Sequence, residues 1–146
     1  MKVLCIANKG GALPKHYLDA RVNMGAKTEF FVTVGKEYAV YGVEFARSQV
    51  WFYIDDDCHH WYPIRKPAPL FEVVDRRLSK YWRIAASEGK HGSVAWLFFE
   101  EFISDKFFYD RLTNRQDTEV KIFKERRRQM DEEFEPSVLT DAVGGE

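Results

Sequence analysis

The stretch EYAVYGVEF, Glu37 to Phe45, carries apolar or aromatic side chains on both sides of any strand it forms. Tyr38, Val40, Gly42 and Glu44 face one way; Glu37, Ala39, Tyr41, Val43 and Phe45 face the other. A strand with one wet face alternates apolar with polar residues. A strand apolar on both faces lies between two packed layers or bends around a small barrel. The β-prone run VWFYI (Val50–Ile54) makes the same demand. With 45% apolar and 16% aromatic residues, the 146-residue chain has material for one such core.

The rest of the chain sorts by period and punctuation. Val3–Ala7 reads as a short strand, followed by the loop NKGGALP. TEFFVTVGKEYAVYGVEFA offers two strands, divided at Gly35–Lys36. Pro63, Pro67 and Pro69 exclude a helix and a central strand, so this segment is extended. LFEVV (Leu70–Val74) is a further strand, Asp75 a cap for a short helix RRLSKYW, and RIAAS (Arg83–Ser87) a closing strand. After Ser93 the spacing turns helical. Ser93 is placed as N-cap of VAWLFFEEFI, with Val94, Leu97, Phe98 and Phe102 on one side. Ser104 would cap DKFFYDRL, and Thr118–Phe134 forms a longer helix with Val120, Phe123, Met130 and Phe134 in a stripe. Strands first and helices last give an α+β class. The expected architecture is a small curled antiparallel sheet or SH3-like barrel followed by C-terminal helices. It forms a single domain over residues 1–134, strand-rich over 1–88 and helical over 93–134. The acidic stretch 135–146, free of Lys and Arg, is expected to be a disordered tail.

The most chemical segment is IDDDCHHWYPI, Ile54 to Ile64. A structural zinc site takes about four ligands, usually in pairs at fixed spacing. Here Cys58, His59 and His60 are adjacent, and in an extended chain only Cys58 and His60 share a side. Calcium loops need alternating oxygens around a glycine, which DDDCHH lacks. No metal and no cofactor are therefore expected. A Cys-His dyad needs an imidazole within reach and a third group to orient it, and adjacent side chains diverge. Glu72 with Asp75, or Glu100 with Glu101, are the other conceivable acid/base pairs. The segment reads instead as a polar turn whose aspartates bond their own backbone and lie in solvent at a loop tip. Such a turn doubles as a contact surface made of Asp55, Asp56, Asp57, His59, His60, Trp61 and Tyr62, suited to a basic protein partner. Tyr41 and Trp51 are added as aromatic anchors.

The net charge of -1 argues against a dedicated nucleic-acid binder. In the basic run KERRRQ (Lys124–Gln129), the spacing pairs Lys121 with Glu125, Arg127 with Asp131 and Arg128 with Glu132. No run approaches the roughly 18 apolar residues of a membrane helix. A cytoplasmic location, with Cys5 and Cys58 reduced, follows as the expectation.

VGKEYAVYGVEF, VWFYIDDD and YPIRKPAPLFEVVDRRLSKYW, spanning Val34 to Trp82, resemble small uncharacterised bacterial α+β proteins of the toxin-immunity type. The resemblance carries no functional residue over. It implies a non-catalytic protein-binding protein that neutralises a toxin by blocking its surface, steered by charge. A small hydrolase or metal-dependent enzyme using Cys58–His60 and a barrel-type nucleic-acid-binding module are the alternatives.

Overall fold

The computed structural model describes residues 1–135. The tail expected over 135–146 falls, beyond Glu135, outside the described residues. Among the described residues, eight strands and three α-helices follow in order: β1 (Lys2–Cys5), β2 (Glu37–Ala39), β3 (Gly42–Ala46), β4 (Gln49–Ile54), β5 (Ile64–Pro67), β6 (Phe71–Asp75), β7 (Trp82–Gly89), β8 (Gly92–Phe99), α1 (Glu100–Ser104), α2 (Phe108–Thr113) and α3 (Asp117–Glu132). A three-stranded sheet has the order β2-β1-β6 and a five-stranded sheet the order β5-β4-β3-β8-β7, with every pairing antiparallel.

The class is α+β, as the order of patterns indicates, but the sheet does not close into a barrel. β5 and β7 remain its two edges. The double-sided apolar demand is met by layers instead. On one face of the large sheet, Phe52 meets Phe71 of the small sheet at 6.1 Å, and Phe71 meets Tyr38 at 6.2 Å. On the other, Tyr53 and Phe98 lie 5.1 Å apart, Phe102 stacks on Phe98 at 3.9 Å, and Tyr109 meets Tyr53 at 5.7 Å. α3 adds Phe123 against Phe99 and Tyr41. Both faces are thus covered around β4 and the end of β8, while the far side of the sheet stays open, with Ile84 of β7 and Phe45 of β3 exposed.

Three local readings give way to the fold. The segment 93–99 is strand β8, not helix: its register runs Ser93↔Glu88 to Phe99↔Trp82. Phe98 and Phe99 point to opposite faces and both are fully buried, so helical spacing carries no information there. Ser93 donates to the Glu88 carboxylate instead of capping. Asp75 ends β6 and binds the Arg77 backbone and guanidinium, leaving no helix after it. Residues 28–34 alternate buried Phe30 and Val32 with exposed Phe31 and Val34, yet form only an isolated bridge, Glu29 with Lys9, and no ladder. Their backbone N–H groups bond elsewhere: that of Phe30 donates to the Asn8 carbonyl in a loop, and that of Thr33 to the Tyr38 hydroxyl on β2. The proline-rich segment forms the edge strand β5, with Pro67 opposite Trp51, where a missing N–H costs no ladder bond. Gly42 permits close packing: a Cβ there would sit 2.1 Å from the Phe98 ring.

No helix among the described residues is long and apolar enough to cross a membrane. Cys5 is buried and Cys58 exposed, and both are free thiols. Tyr41 and Trp51, expected as exposed anchors, are buried, only 5% and 6% exposed.

Candidate functional site

Residues 55–63 connect β4 to β5, whose ends pair at Ile54↔Ile64. Consecutive aspartates repel unless separated or compensated. Here each takes a different partner, and the segment becomes a clasp between the small sheet, β5 and α3. The solvent-facing acidic tip expected from the sequence is not what forms.

Asp55 leans toward α3. Its Oδ2 lies 3.6 Å from His59 Nδ1 and 3.9 Å from the Arg127 guanidinium, while its Oδ1 is buried without a hydrogen bond among the described residues. Asp56 is 2% exposed and lies 2.8 Å from the ammonium of Lys66, itself 5% exposed. Its other oxygen accepts from the Cys58 N–H at 3.0 Å. Asp57 accepts three hydrogen bonds: from the Thr33 hydroxyl at 2.6 Å, the Tyr38 hydroxyl at 2.7 Å and the Lys36 ammonium at 2.8 Å. Desolvation lifts its carboxyl, but the bonds from Lys36, Thr33 and Tyr38 outweigh it and hold the group down at about 2. Burial, and then the adjoining Asp57 carboxylate, raise the Tyr38 phenol.

The chain then reverses. The His59 N–H donates to the Asp56 carbonyl at 3.1 Å, with His59 in the left-handed region at φ 52°. His59 is exposed. The His60 ring stacks on Tyr62 at 5.0 Å with 20° between planes. Trp61 donates its indole N–H to the Leu112 carbonyl at 2.8 Å, under the Arg115 guanidinium. Tyr62 meets Tyr109 edge-on, and the Tyr109 hydroxyl donates to the Pro63 carbonyl at 2.7 Å. Trp61 and Tyr62 thus fasten the segment to α2. Cys58 and His59 are left facing solvent, with His60 half-buried beside them.

The clasp presents one residue that the sequence did not single out. Phe31 is 59% exposed and has φ 53°, a conformation that costs an ordinary L-residue about 1–2 kcal/mol. The Asp57 N–H donates to its carbonyl at 3.0 Å, and Lys66 lies 5.9 Å from its ring. Val34, next to the Thr33 that binds Asp57, is 55% exposed. No sequence signal marks Phe31, because phenylalanine has no preference for left-handed backbone.

The other chemical candidates are engaged elsewhere. Glu101 is held by Arg126 at 2.8 and 3.0 Å, and Asp75 by Arg77. In the basic run, Arg126 meets Glu101, Arg127 approaches Asp55, and Arg128 bridges Glu125 and Glu132. Asp131, expected opposite Arg127, instead accepts from the Tyr41 hydroxyl at 2.8 Å. Among the described residues one ligand-like set does assemble: the Asp56 carboxylate, the Cys58 thiol and the His60 imidazole offer donor atoms all within 4.8 Å of one another. Comparison with family models, with curated proteins and with solved structures finds no match for this chain.

Proposed function

We propose that the chain is a non-catalytic protein-binding protein and, in its sharper form, an immunity protein that neutralises a bacterial toxin by covering its surface. The observation that supports this reading is Phe31. A large apolar side chain stands in solvent on a backbone held in a costly conformation by a bond from Asp57. Strain of this kind persists only where the surroundings enforce it, and it concentrates at binding sites. Rigid exposed aromatics lose little entropy on docking and act as anchors at interfaces. Val34, Cys58 and His59 extend the surface, and Lys36 with Asp57 supplies a charged rim. The contact is therefore apolar at its centre. The acidic attraction first expected of Asp55 and Asp56 is spent within the fold.

The test compares wild type with Phe31→Asp as tagged baits in nuclease-treated lysate of the source organism. Aspartate tolerates left-handed backbone better than phenylalanine, so the variant should fold at least as stably. Loss of an anchor worth about 2 kcal/mol lowers affinity about 30-fold. One stoichiometric protein held by wild type and lost by the variant is the expected result. Toxicity of that protein when expressed alone marks the immunity form. Equal retention by both baits refutes the surface.

A further inference from the structure

We propose that Asp56, Cys58 and His60 form a binding site for a thiophilic divalent cation of the zinc class. The three donors are a carboxylate oxygen, a thiol sulfur and an imidazole nitrogen, the set zinc accepts. They sit at alternate positions, and along an extended chain such positions are separated by about 6–7 Å. The reversal at His59 gathers their donor atoms to within 4.8 Å. Zinc–ligand bonds of about 2.0–2.3 Å place tetrahedral ligands about 3.3–3.8 Å apart, so closure needs a shift of about 1 Å.

Two ligands are already oriented from behind. Asp56 is fixed by Lys66 and by the Cys58 N–H, and the His60 ring lies on Tyr62. Such outer partners hold ligands in register for a metal. Cys58 is exposed, and its thiol makes no hydrogen bond among the described residues, so the closing movement falls to its side chain. On binding, the S–H bond breaks, sulfur donates the freed pair to the cation, and the proton passes to buffer. Asp56 and His60 each donate a lone pair, and no electron is transferred. Three protein ligands leave a fourth position open to water or to a donor from another molecule. The Lys66 ammonium, 2.8 Å from Asp56, competes for that carboxylate and makes the site weaker than a closed four-ligand centre. The inference is independent of the protein-binding reading, since the titration below needs no partner.

The full-length chain, reduced and freed of metal, is titrated with Co2+ as an optical probe and then with Zn2+. Saturation is expected at one Co2+ per chain, with a thiolate-to-cobalt charge-transfer band that Zn2+ abolishes and excess Mg2+ leaves intact. Cys58→Ala should remove the band, and His60→Ala should weaken binding at least tenfold. Because Cys58 is exposed, the Cys58→Ala variant keeps its fold, and it decides the matter even if His60→Ala does not. Absence of the thiolate band overturns the site. So does binding of Co2+ by Cys58→Ala with unchanged stoichiometry and affinity.

Discussion

Replacing Asp57 by Asn removes a charge from the clasp while keeping its shape, and the structure sets the size of the effect. The carboxylate accepts from Thr33, Lys36 and Tyr38, and its side chain is 30% exposed. Those bonds overcome desolvation and bring its pKa from the ordinary 3.8 to about 2. The gap corresponds to about 2 kcal/mol of stability. Because the group ionises more readily in the fold than in the unfolded chain, that stability is complete above the ordinary carboxylate pKa. It is lost as pH falls from about 4 toward 2. Urea unfolding of wild type and Asp57→Asn, followed by tryptophan fluorescence, reads it directly. The wild type should be more stable by about 2 kcal/mol near pH 7, and the difference should shrink to a few tenths near pH 2. Other depressed carboxylates, such as Glu101 beside Arg126 and Asp105 beside the Phe107 N–H and Arg111, titrate in both proteins and cancel in the difference. A difference that stays constant across this range, or is absent at neutral pH, refutes the assignment of the clasp's strength to the ionised carboxylate.

Two further substitutions probe the frame around the site. Gly42→Ala drives a methyl to within 2.1 Å of the fully buried Phe98 ring, so overpacking should cost about 3 kcal/mol in chemical denaturation; a change below about 1 kcal/mol would mean the β3–β8 contact is looser than described. Lys66→Met strands the buried Asp56 carboxylate and should cost about 3–5 kcal/mol, most of it restored in the Lys66→Met/Asp56→Asn double variant; additive losses would show that the two groups do not stabilise each other.

Several features of the fold follow from short-range sequence alone. The apolar faces of Glu37–Phe45 and Val50–Ile54 require cover on both sides, and Tyr38 to Val43 and Trp51 to Ile54 receive it, while Phe45 stays exposed. The prolines at 63, 67 and 69 confine their segment to an edge, because a residue without an N–H cannot serve a central ladder. The stripe of α3 is readable because a surface helix has one wet face: Phe123 and Met130 are buried where the period puts them. At 93–99 the same method fails. Neighbouring Phe98 and Phe99 are both buried, so no period survives, and pairing with β3 and β7 decides the strand. The choice of stacked layers over a barrel was also settled by pairing between distant segments.

The site divides along the same line. The Asp-rich run is legible as a tight turn, since that depends on residues within a few positions, whereas the approach of Cys58 to His60 comes from the left-handed reversal at His59 and not from extended alternation. What each carboxylate does depends on groups far along the chain. Asp57 is bound from Thr33, Lys36 and Tyr38, Asp56 is neutralised from the next strand, and Asp55 faces Arg127 on the last helix. The left-handed Phe31 exists because a neighbouring loop supplies the bond that holds it. Local order is fixed by residues that meet within one or two turns of chain. The pairing of charges and the storing of strain are set by which segments the packed core brings together, and only the tertiary structure decides that.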